Sequence, residues 1–157
     1  MHWLKTTTIA SSLAVASCLG TVSIAQAQTV SVPFNGTVVS TCVFDVAAIV
    51  PGRLILDPLL PTQLITDTEG SVPITCNGDV DLSVAEPREI IVQTATPVRT
   101  ATATLAGQTA LSVGPIVADV TGPLLNELVS VSMTATGLLP LADGFYSYEV
   151  DVTALPQ

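Results

Sequence analysis

An all-β sandwich is the fold class that this sequence predicts, on three observations. Apolar and polar residues alternate with a period of two, most regularly in 80–84 and 146–154, as expected for antiparallel strands with one face in water. Turn residues such as Pro51-Gly52 and Asn77-Gly78 separate many short runs of this kind, which is the spacing of a sandwich. Helix signals are poor, since residues 124–128 allow one helical turn at most.

The predicted strands follow one another along the chain without repeats or a linker. They cover residues 29–34, 54–56, 72–76, 80–84, 90–96, 101–105, 111–113, 129–133 and 146–154. Ala106-Gly107 and the two residues after it have the composition of a tight hairpin turn. Pro73 cannot donate a ladder hydrogen bond, so it predicts a bulge or an edge in the strand that carries Cys76.

The first 27 residues have the pattern of a secretory signal peptide. Lys5 gives a weakly basic start, residues 9–19 are mostly apolar, and Ala25-Gln26-Ala27 is an A-x-A cleavage site. Cleavage between Ala27 and Gln28 leaves residues 28–157 as one domain. The apolar stretch is too short for a membrane span. The alternative is a lipoprotein anchored at Cys18, because Val15-Ala16-Ser17-Cys18 resembles a lipobox.

The charge of residues 28–157 limits the possible partners. Three arginines stand against thirteen carboxylates, which gives a net charge of −10. Such a surface repels nucleic acid and anionic lipid, since phosphate contacts need Lys or Arg. We therefore expect no nucleic-acid partner and no transmembrane segment. The simplest role of the acidity is to keep an exported protein soluble.

Two cysteines remain after signal cleavage, Cys42 and Cys76. In an exported domain this pattern predicts one disulfide, which would close a loop of 35 residues and contribute roughly 3–4 kcal/mol. The alternatives are two buried free thiols or half of a metal site, which two cysteines without a histidine do not complete. We expect neither a metal nor a cofactor.

The residues left after cleavage contain no histidine and no lysine. A Ser-His-Asp or Cys-His relay and a Schiff-base lysine are therefore impossible, and we expect no catalytic residue. Two carboxylate pairs, Asp79 with Asp81 and Glu149 with Asp151, could in principle hydrolyse a glycoside. The plainer interpretation is a solvated strand face. Residues 77–81 also begin like a calcium loop, which then lacks its glycine and its glutamate.

Two segments together carry a resemblance to a known family. The first is Val-Pro-Phe-Asn-Gly-Thr-Val-Val over 32–39, followed by Cys42, and the second is Gly-Phe-Tyr-Ser-Tyr-Glu-Val-Asp-Val-Thr-Ala over 144–154. Ile74-Thr75-Cys76-Asn77 supplies the second cysteine between them. This layout resembles chaperone–usher pilin subunits, and within them the spore coat protein U-like, or archaic pilin, branch.

The resemblance implies an immunoglobulin-like antiparallel β-sandwich that lacks its final strand. It implies an apolar groove lined by Tyr148, Val150, Val152 and Phe34, filled first by a periplasmic chaperone and then by a strand of another pilin subunit, with an usher as a further partner. This is β-strand addition. The family places the protein on a path from the periplasm to the cell surface, as part of an adhesive fimbrium. The few residues ahead of position 32 suggest an acceptor at the fibre tip.

Three functions follow from these expectations. The first is an exported structural or adhesive surface subunit. The second is a self-complete, monomeric, secreted β-sandwich that binds a ligand or a polysaccharide. The third is a hydrolase of the acid type, built on one of the carboxylate pairs.

Overall fold

A computed structural model describes residues 31–114 and 116–157. The predicted signal peptide, its cleavage site and Cys18 lie outside the described residues. Residues 37–157 form one compact unit, and residues 31–36 belong to another. The strands that follow all lie in the larger unit.

Twelve strands and one short 3-10 helix make up the described part of this unit. The strands are β1 (Cys42–Phe44), β2 (Arg53–Leu56), β3 (Gln63–Thr68), β4 (Gly70–Cys76), β5 (Val80–Val84), β6 (Arg88–Ile91), β7 (Val98–Leu105), β8 (Gln108–Leu111), β9 (Ala118–Val120), β10 (Leu124–Thr136), β11 (Ser147–Glu149) and β12 (Val152–Pro156). The 3-10 helix is Val46–Ala48. The prediction of an all-β chain is confirmed.

Sheet 1 is a seven-stranded antiparallel sheet built around the long strand β10. On one edge β10 pairs first with β4 and then with β3, and on the other edge it pairs with β7. β1 continues the sheet beyond β4, β2 continues it beyond β3, and β8 continues it beyond β7. β1 and β2 therefore lie along one border of the sheet, and β8 lies at the other.

Sheet 2 covers sheet 1 and consists of two short ladders in line. β5 pairs with β12 and with β9, and β6 pairs with β11. The chain passes from β5 into β6 and from β11 into β12, and the amide of Ala85 donates to the carbonyl of Asp151 at 2.9 Å between the two ladders. The last two strands thus form one border of sheet 2 and β9 forms the other.

The core lies between the sheets and comes from alternate residues of both. In β5, Val80, Leu82 and Val84 point inward and are buried, while Asp81 and Ser83 are half-exposed. The buried set from the other strands is Leu64, Ile74, Cys76, Ala101, Ala103, Leu105, Ala110, Ala118, Val120, Leu124, Val129, Met133 and Ala135. Burial of one face of each sheet is what fixes the strand register.

Two of the segments with turn composition have different outcomes. Ala106 and Gly107 form a tight turn between β7 and β8, with φ values of 48° and 81°, which confirms the hairpin. The segment at Asn77-Gly78 is not a hairpin turn, because β4 belongs to sheet 1 and β5 to sheet 2. It carries the chain from one sheet to the other.

Two predicted strands are wrong in their extent, and a third segment has another secondary structure. Residues 31–41 form no strand, although 29–34 was predicted as one, and Pro33 interrupts that run. The run 90–96 ends as a strand at Ile91, since residues 92–97 cross from sheet 2 to sheet 1. Residues 124–128 are not a helical turn but the start of β10, where Asn126 has a φ of 54° at a bulge against β4.

Pro73 lies inside sheet 1 and not at an edge, since β4 is paired with both β1 and β10. Its carbonyl accepts from the amide of Asp45 at 2.9 Å. The N–H and C=O of one residue point to the same side of an antiparallel strand. The missing N–H of Pro73 therefore faces Asp45, just beyond the end of β1 at Phe44, so only the return bond to Asp45 is lost and the pairing with β10 is unaffected. A bulge is present, but in β10, between Leu124 and Glu127.

The predicted disulfide is confirmed. Cys42 of β1 and Cys76 of β4 are directly opposite in the sheet, with their Cα atoms 4.2 Å apart, and are bonded. Asn77 holds the chain just before β1: its Oδ1 accepts from the amide of Thr41 at 2.7 Å, and its Nδ2 donates to the carbonyl of Val39 at 2.9 Å. The first strand is thus fixed by one covalent bond and by a side chain next to it.

Removal of the disulfide should cost a large part of the stability. We expect the double variant Cys42→Ala, Cys76→Ala to lose about 2–5 kcal/mol in the free energy of unfolding, because the unfolded chain without the disulfide has more conformational freedom. Urea denaturation with and without a reductant measures the loss. The double variant is its own control, since the reductant should leave its midpoint unchanged. An unchanged midpoint for the reduced natural chain would contradict the prediction.

Candidate functional site

The two sheets leave one side of the sandwich open. The β1–β2 border of sheet 1 and the β11–β12 border of sheet 2 lie on the same side, and between them runs a concavity of about 1000 Å³, here called the groove. Residues 44–56 line one wall and residues 141–152 line the other. The size is at the upper end of the range usual for ligand sites.

The opposite side of the sandwich is closed by the chain itself. β8 at the border of sheet 1 leads into β9 at the border of sheet 2. Between them Leu111 and Ile116 exchange two backbone hydrogen bonds, of 3.0 and 3.2 Å. The same core is therefore covered on one side and accessible on the other.

The groove is mainly apolar because its floor is the edge of the hydrophobic core. Two of its lining residues, Leu64 and Met133, are themselves buried core residues. Others are half-buried and pack against the core from the two walls, namely Phe44, Leu54, Val72, Val131, Leu141, Tyr146, Tyr148, Val150 and Val152. Half-burial at these positions means that apolar surface continuous with the core faces the open side.

Residues 146–154, predicted as one strand, are divided into β11 and β12, but they line the groove in the predicted register. Tyr148, Val150 and Val152 are half-buried and line it, while Glu149 and Asp151 are exposed. Ser147, predicted to be exposed, is half-buried. Phe34 lies in the separate unit that includes residues 31–36, where it is 93% exposed. Its place in the groove stays a prediction.

Each wall of the groove is bordered by strands that are paired along one edge and free along the other. β11 and β12 make their ladder bonds to β6 and β5, and β2 makes its ladder bonds to β3. Within residues 31–114 and 116–157, no backbone partner is found along the other edge of these strands. Free edges of this kind accept a further strand.

Sequence reasoning missed the wall formed by β2 and the contribution of the aromatic residues. Leu54-Ile55-Leu56 was recognised as an apolar run, but three apolar residues in a row do not say which face is buried. Four of the six aromatic residues of the whole chain line the groove. These are Phe44, Phe145, Tyr146 and Tyr148.

A polar cluster lies where the β6–β7 connection meets β11. Thr96 is fully buried, and its hydroxyl donates to Oε1 of Glu89 at 2.6 Å and lies 2.9 Å from the hydroxyl of Tyr148. The amide of Thr96 also donates to Oε1 of Glu89, at 2.9 Å. Arg99 pairs with both Glu89 and Glu86 at 3.1 Å. The cluster joins β6, β7 and β11, and so holds one end of the groove wall.

This arrangement shifts the pKa of two side chains in the cluster. Hydrogen bonds from the hydroxyl and the amide of Thr96 hold the pKa of Glu89 below its ordinary value of 4.5, with Arg99 acting in the same direction. Burial raises the pKa of Tyr148 above its ordinary value of 10.0. At neutral pH the cluster therefore contains a carboxylate and a protonated phenol, which is the pair of states that its hydrogen bonds require.

One carboxylate of each pair considered for hydrolysis, Asp79 and Glu149, makes a contact that stabilises the fold. Oδ1 of Asp79 accepts from the amide of Gly122 at 2.8 Å, which ties the β4–β5 segment to the start of β10. Glu149 forms an ion pair with Arg88 on the exposed face of sheet 2. Among the described residues, no group of three or more His, Cys, Asp or Glu side chains could hold a metal ion.

The described residues contain no helix long and apolar enough to cross a membrane. A scan against protein-family models, a search of curated proteins and a search of solved structures each found no match to this chain. The functional interpretation therefore starts from the geometry of the groove.

The alternation of the last strand predicts opposite results at two neighbouring positions. Val150→Asp places a charge against the core at the groove and should sharply lower the yield of folded protein. Asp151→Asn changes an exposed side chain and should shift the free energy of unfolding by less than about 0.5 kcal/mol. Soluble yield and thermal melting measure both. Equal tolerance at the two positions would contradict the register.

The polar cluster should make the free energy of unfolding depend on pH in the acidic range. The pKa of Glu89 is lower in the folded than in the unfolded chain, so its contribution is complete above about pH 5 and is lost as the pH falls through the folded value. Glu89→Gln removes this titration, so its stability should change less between about pH 5 and pH 3 than that of the natural chain. Thermal melting across this range is the measurement.

Asp67 requires a control in this experiment, because Arg53 lowers the pKa of Asp67 and adds an acid dependence of its own. Asp67→Asn should leave intact the part of the dependence that belongs to Glu89. A Glu89→Gln profile that matches the natural one would contradict the prediction.

Proposed function

We propose that this protein is an exported structural or adhesive surface subunit that completes its sandwich with a strand from a partner. The proposal follows the resemblance to spore coat protein U-like pilins and includes their partners: a periplasmic chaperone, an usher and other pilin subunits. The export signal of residues 1–27 belongs to the same proposal. The role is one of assembly and attachment, without a reaction, a metal or a cofactor.

The observation that carries the proposal is the open groove between two free strand edges. A sandwich with both sides closed offers no such place. Here the core is covered on the side of β8 and β9 but accessible between β2 and β12. An added strand would pair with the free edge of β11 and β12, and its alternate side chains would cover Val150 and Val152.

The apolar floor gives the added strand a source of binding energy besides its hydrogen bonds. Each Val, Leu or Phe side chain that becomes buried contributes roughly 1.5–3 kcal/mol. Three such side chains in the groove would therefore supply roughly 5–9 kcal/mol before the cost of ordering the strand. That is comparable with the whole stability of a small domain.

The extent of the first strand supports a position within a fibre rather than at its tip. The first strand begins at Cys42, and residues 31–41 form no strand. The segment ahead of the sandwich is thus longer than the sequence suggested. Val32, Val38 and Val39 in this segment are exposed by 64%, 86% and 69%. We propose that residues 29–39 serve as a donor strand, so that one subunit both accepts and donates.

A second candidate function is a ligand or polysaccharide site in the same groove. The observation in its favour is the presence of four aromatic residues among those that line the groove, because aromatic faces stack well on apolar ligands and sugars. In this case the sandwich is self-complete, and a small molecule takes the place of a strand. The two functions differ in whether the empty groove destabilises the fold.

A fused donor strand tests the proposal. Residues 29–39 are attached after Gln157 through a short flexible linker, which gives the strand a high effective concentration at the groove. We expect the fusion to raise the melting temperature by more than roughly 10 °C and to suppress aggregation, because the strand covers the apolar floor. Differential scanning calorimetry and light scattering are the measurements.

The control is the same fusion with two substitutions in the added copy, Val32→Asp and Phe34→Asp, which cannot enter an apolar groove. It should melt like the unfused protein. If the unfused protein is already monomeric and stable, and neither a strand nor a chaperone changes that, the sandwich is self-complete and the ligand function replaces the proposed one.

A further inference from the structure

Two loops at one end of the sandwich carry the same three residues. The loop between β2 and β3 contains Leu59-Leu60-Pro61, and the loop after β10 contains Leu138-Leu139-Pro140. The amide of Gly137 donates to the carbonyl of Thr62 at 2.7 Å, and the amide of Leu141 donates to the carbonyl of Pro61 at 2.9 Å. The two loops are therefore held side by side.

The four leucines of these loops point into solvent. Leu59, Leu60, Leu138 and Leu139 are exposed by 86%, 50%, 84% and 68%, and they are here called the leucine end. With on the order of 100 Å² of apolar side-chain surface per leucine, they expose roughly 300 Å² together. A patch of this size is comparable with the largest apolar patch of a typical monomer, which is often functional.

The leucine end also contains a hollow. Leu138 and Leu139 line it together with Thr94, Ala95 and Pro97 from the β6–β7 connection, and its volume is about 420 Å³. Protruding leucines and an apolar hollow are thus present on the same surface. Across a twofold axis the same patch of two copies meets, so that the leucines of each copy face the hollow of the other.

Charge distribution favours a second copy at this end over contact elsewhere. The domain carries a net charge of −10, so two copies repel each other over most of their surfaces. The leucine end is an exception, because none of the residues in 58–62, 94–97 and 137–142 is charged. Two carboxylates border this region, those of Asp57 and Asp143, and that of Asp57 accepts from the amide of Leu59 at 2.8 Å.

We propose that two copies of this protein associate through their leucine ends, with the leucines of each packing into the hollow of the other. The four leucines of both copies contribute roughly 600 Å², which is below the roughly 1200 Å² at which stable specific interfaces begin. The dimer is therefore weak. It is separate from the groove and goes beyond the proposed function, since it forms whether or not the groove holds a strand.

Sedimentation velocity of the full exported chain, over roughly 10 μM to 1 mM, tests the proposal across the range of weak association. We expect a reversible monomer–dimer equilibrium for the natural chain. Leu59→Ser and Leu138→Ser should each weaken it at least tenfold, because every substitution acts twice in a symmetric dimer. These side chains are exposed, so the folded state should be kept, which circular dichroism checks.

Leu125→Ser is the matched control. Leu125 is 83% exposed, like Leu59, but it lies at the start of the thirteen-residue strand β10, whereas the leucine end follows the end of that strand. It should leave the equilibrium unchanged. Chemical cross-linking of Leu59→Cys with a bismaleimide should give covalent dimers, and Leu125→Cys should not. Cross-linking at position 59 reports contact between leucine ends even when larger species form through the groove.

Several outcomes overturn the proposal. One is a chain that stays monomeric up to millimolar concentration, and another is association that Leu125→Ser weakens as much as Leu59→Ser does. A third is association that Leu59→Ser leaves intact but that a fused strand in the groove abolishes, which would assign it to the groove. Binding of the monomer to uncharged detergent micelles through the leucine end, without dimers, would assign that end to an apolar surface instead.

Discussion

Strand β10 is the element on which the rest of this structure depends. It pairs with β3 and β4 on one edge and with β7 on the other, so that sheet 1 is assembled around it. Val129, Met133 and Ala135 on its inner face lie in the core beneath sheet 2. Because β3 and β4 are held by β10, the position of the β1–β2 border is fixed without any help from the last strand. One wall of the groove is thus built independently of the other.

The groove arises from an asymmetry in how the chain joins its two sheets. Between β8 and β9 the chain itself passes from one sheet to the other and covers the core. Between β2 and β12 no strand of the described residues covers the core. The walls are joined through the core, through the polar cluster around Thr96, and at one end by residues 137–146, where the amide of Leu141 donates to the carbonyl of Pro61 at 2.9 Å. The cluster fixes Tyr148 at one end of the groove, so that part of the wall has a defined position while its apolar floor is accessible.

The sequence predicted those parts of the fold that depend on local pattern. The alternation of 146–154, the turn at Ala106-Gly107 and the pairing of two remaining cysteines are of this kind, since each is decided by residues close in sequence or by elimination. The wall formed by β2 was not predictable, because a run of three apolar residues has no period. Nor was the cluster of Thr96 with Glu89 and Tyr148, whose members come from three separate elements. Residues 29–34 alternate well enough to suggest a strand, but a strand also needs a partner edge.

The disulfide has a mechanical consequence. A force that pulls on the chain ahead of β1 first acts on the backbone held by Asn77, at Val39 and Thr41. Once those hydrogen bonds yield, the tension reaches Cys42 and passes through a covalent bond to Cys76, in a strand that lies between β1 and β10. The first strand cannot be peeled away residue by residue. The load is shared by the interior of sheet 1, where many hydrogen bonds must break together.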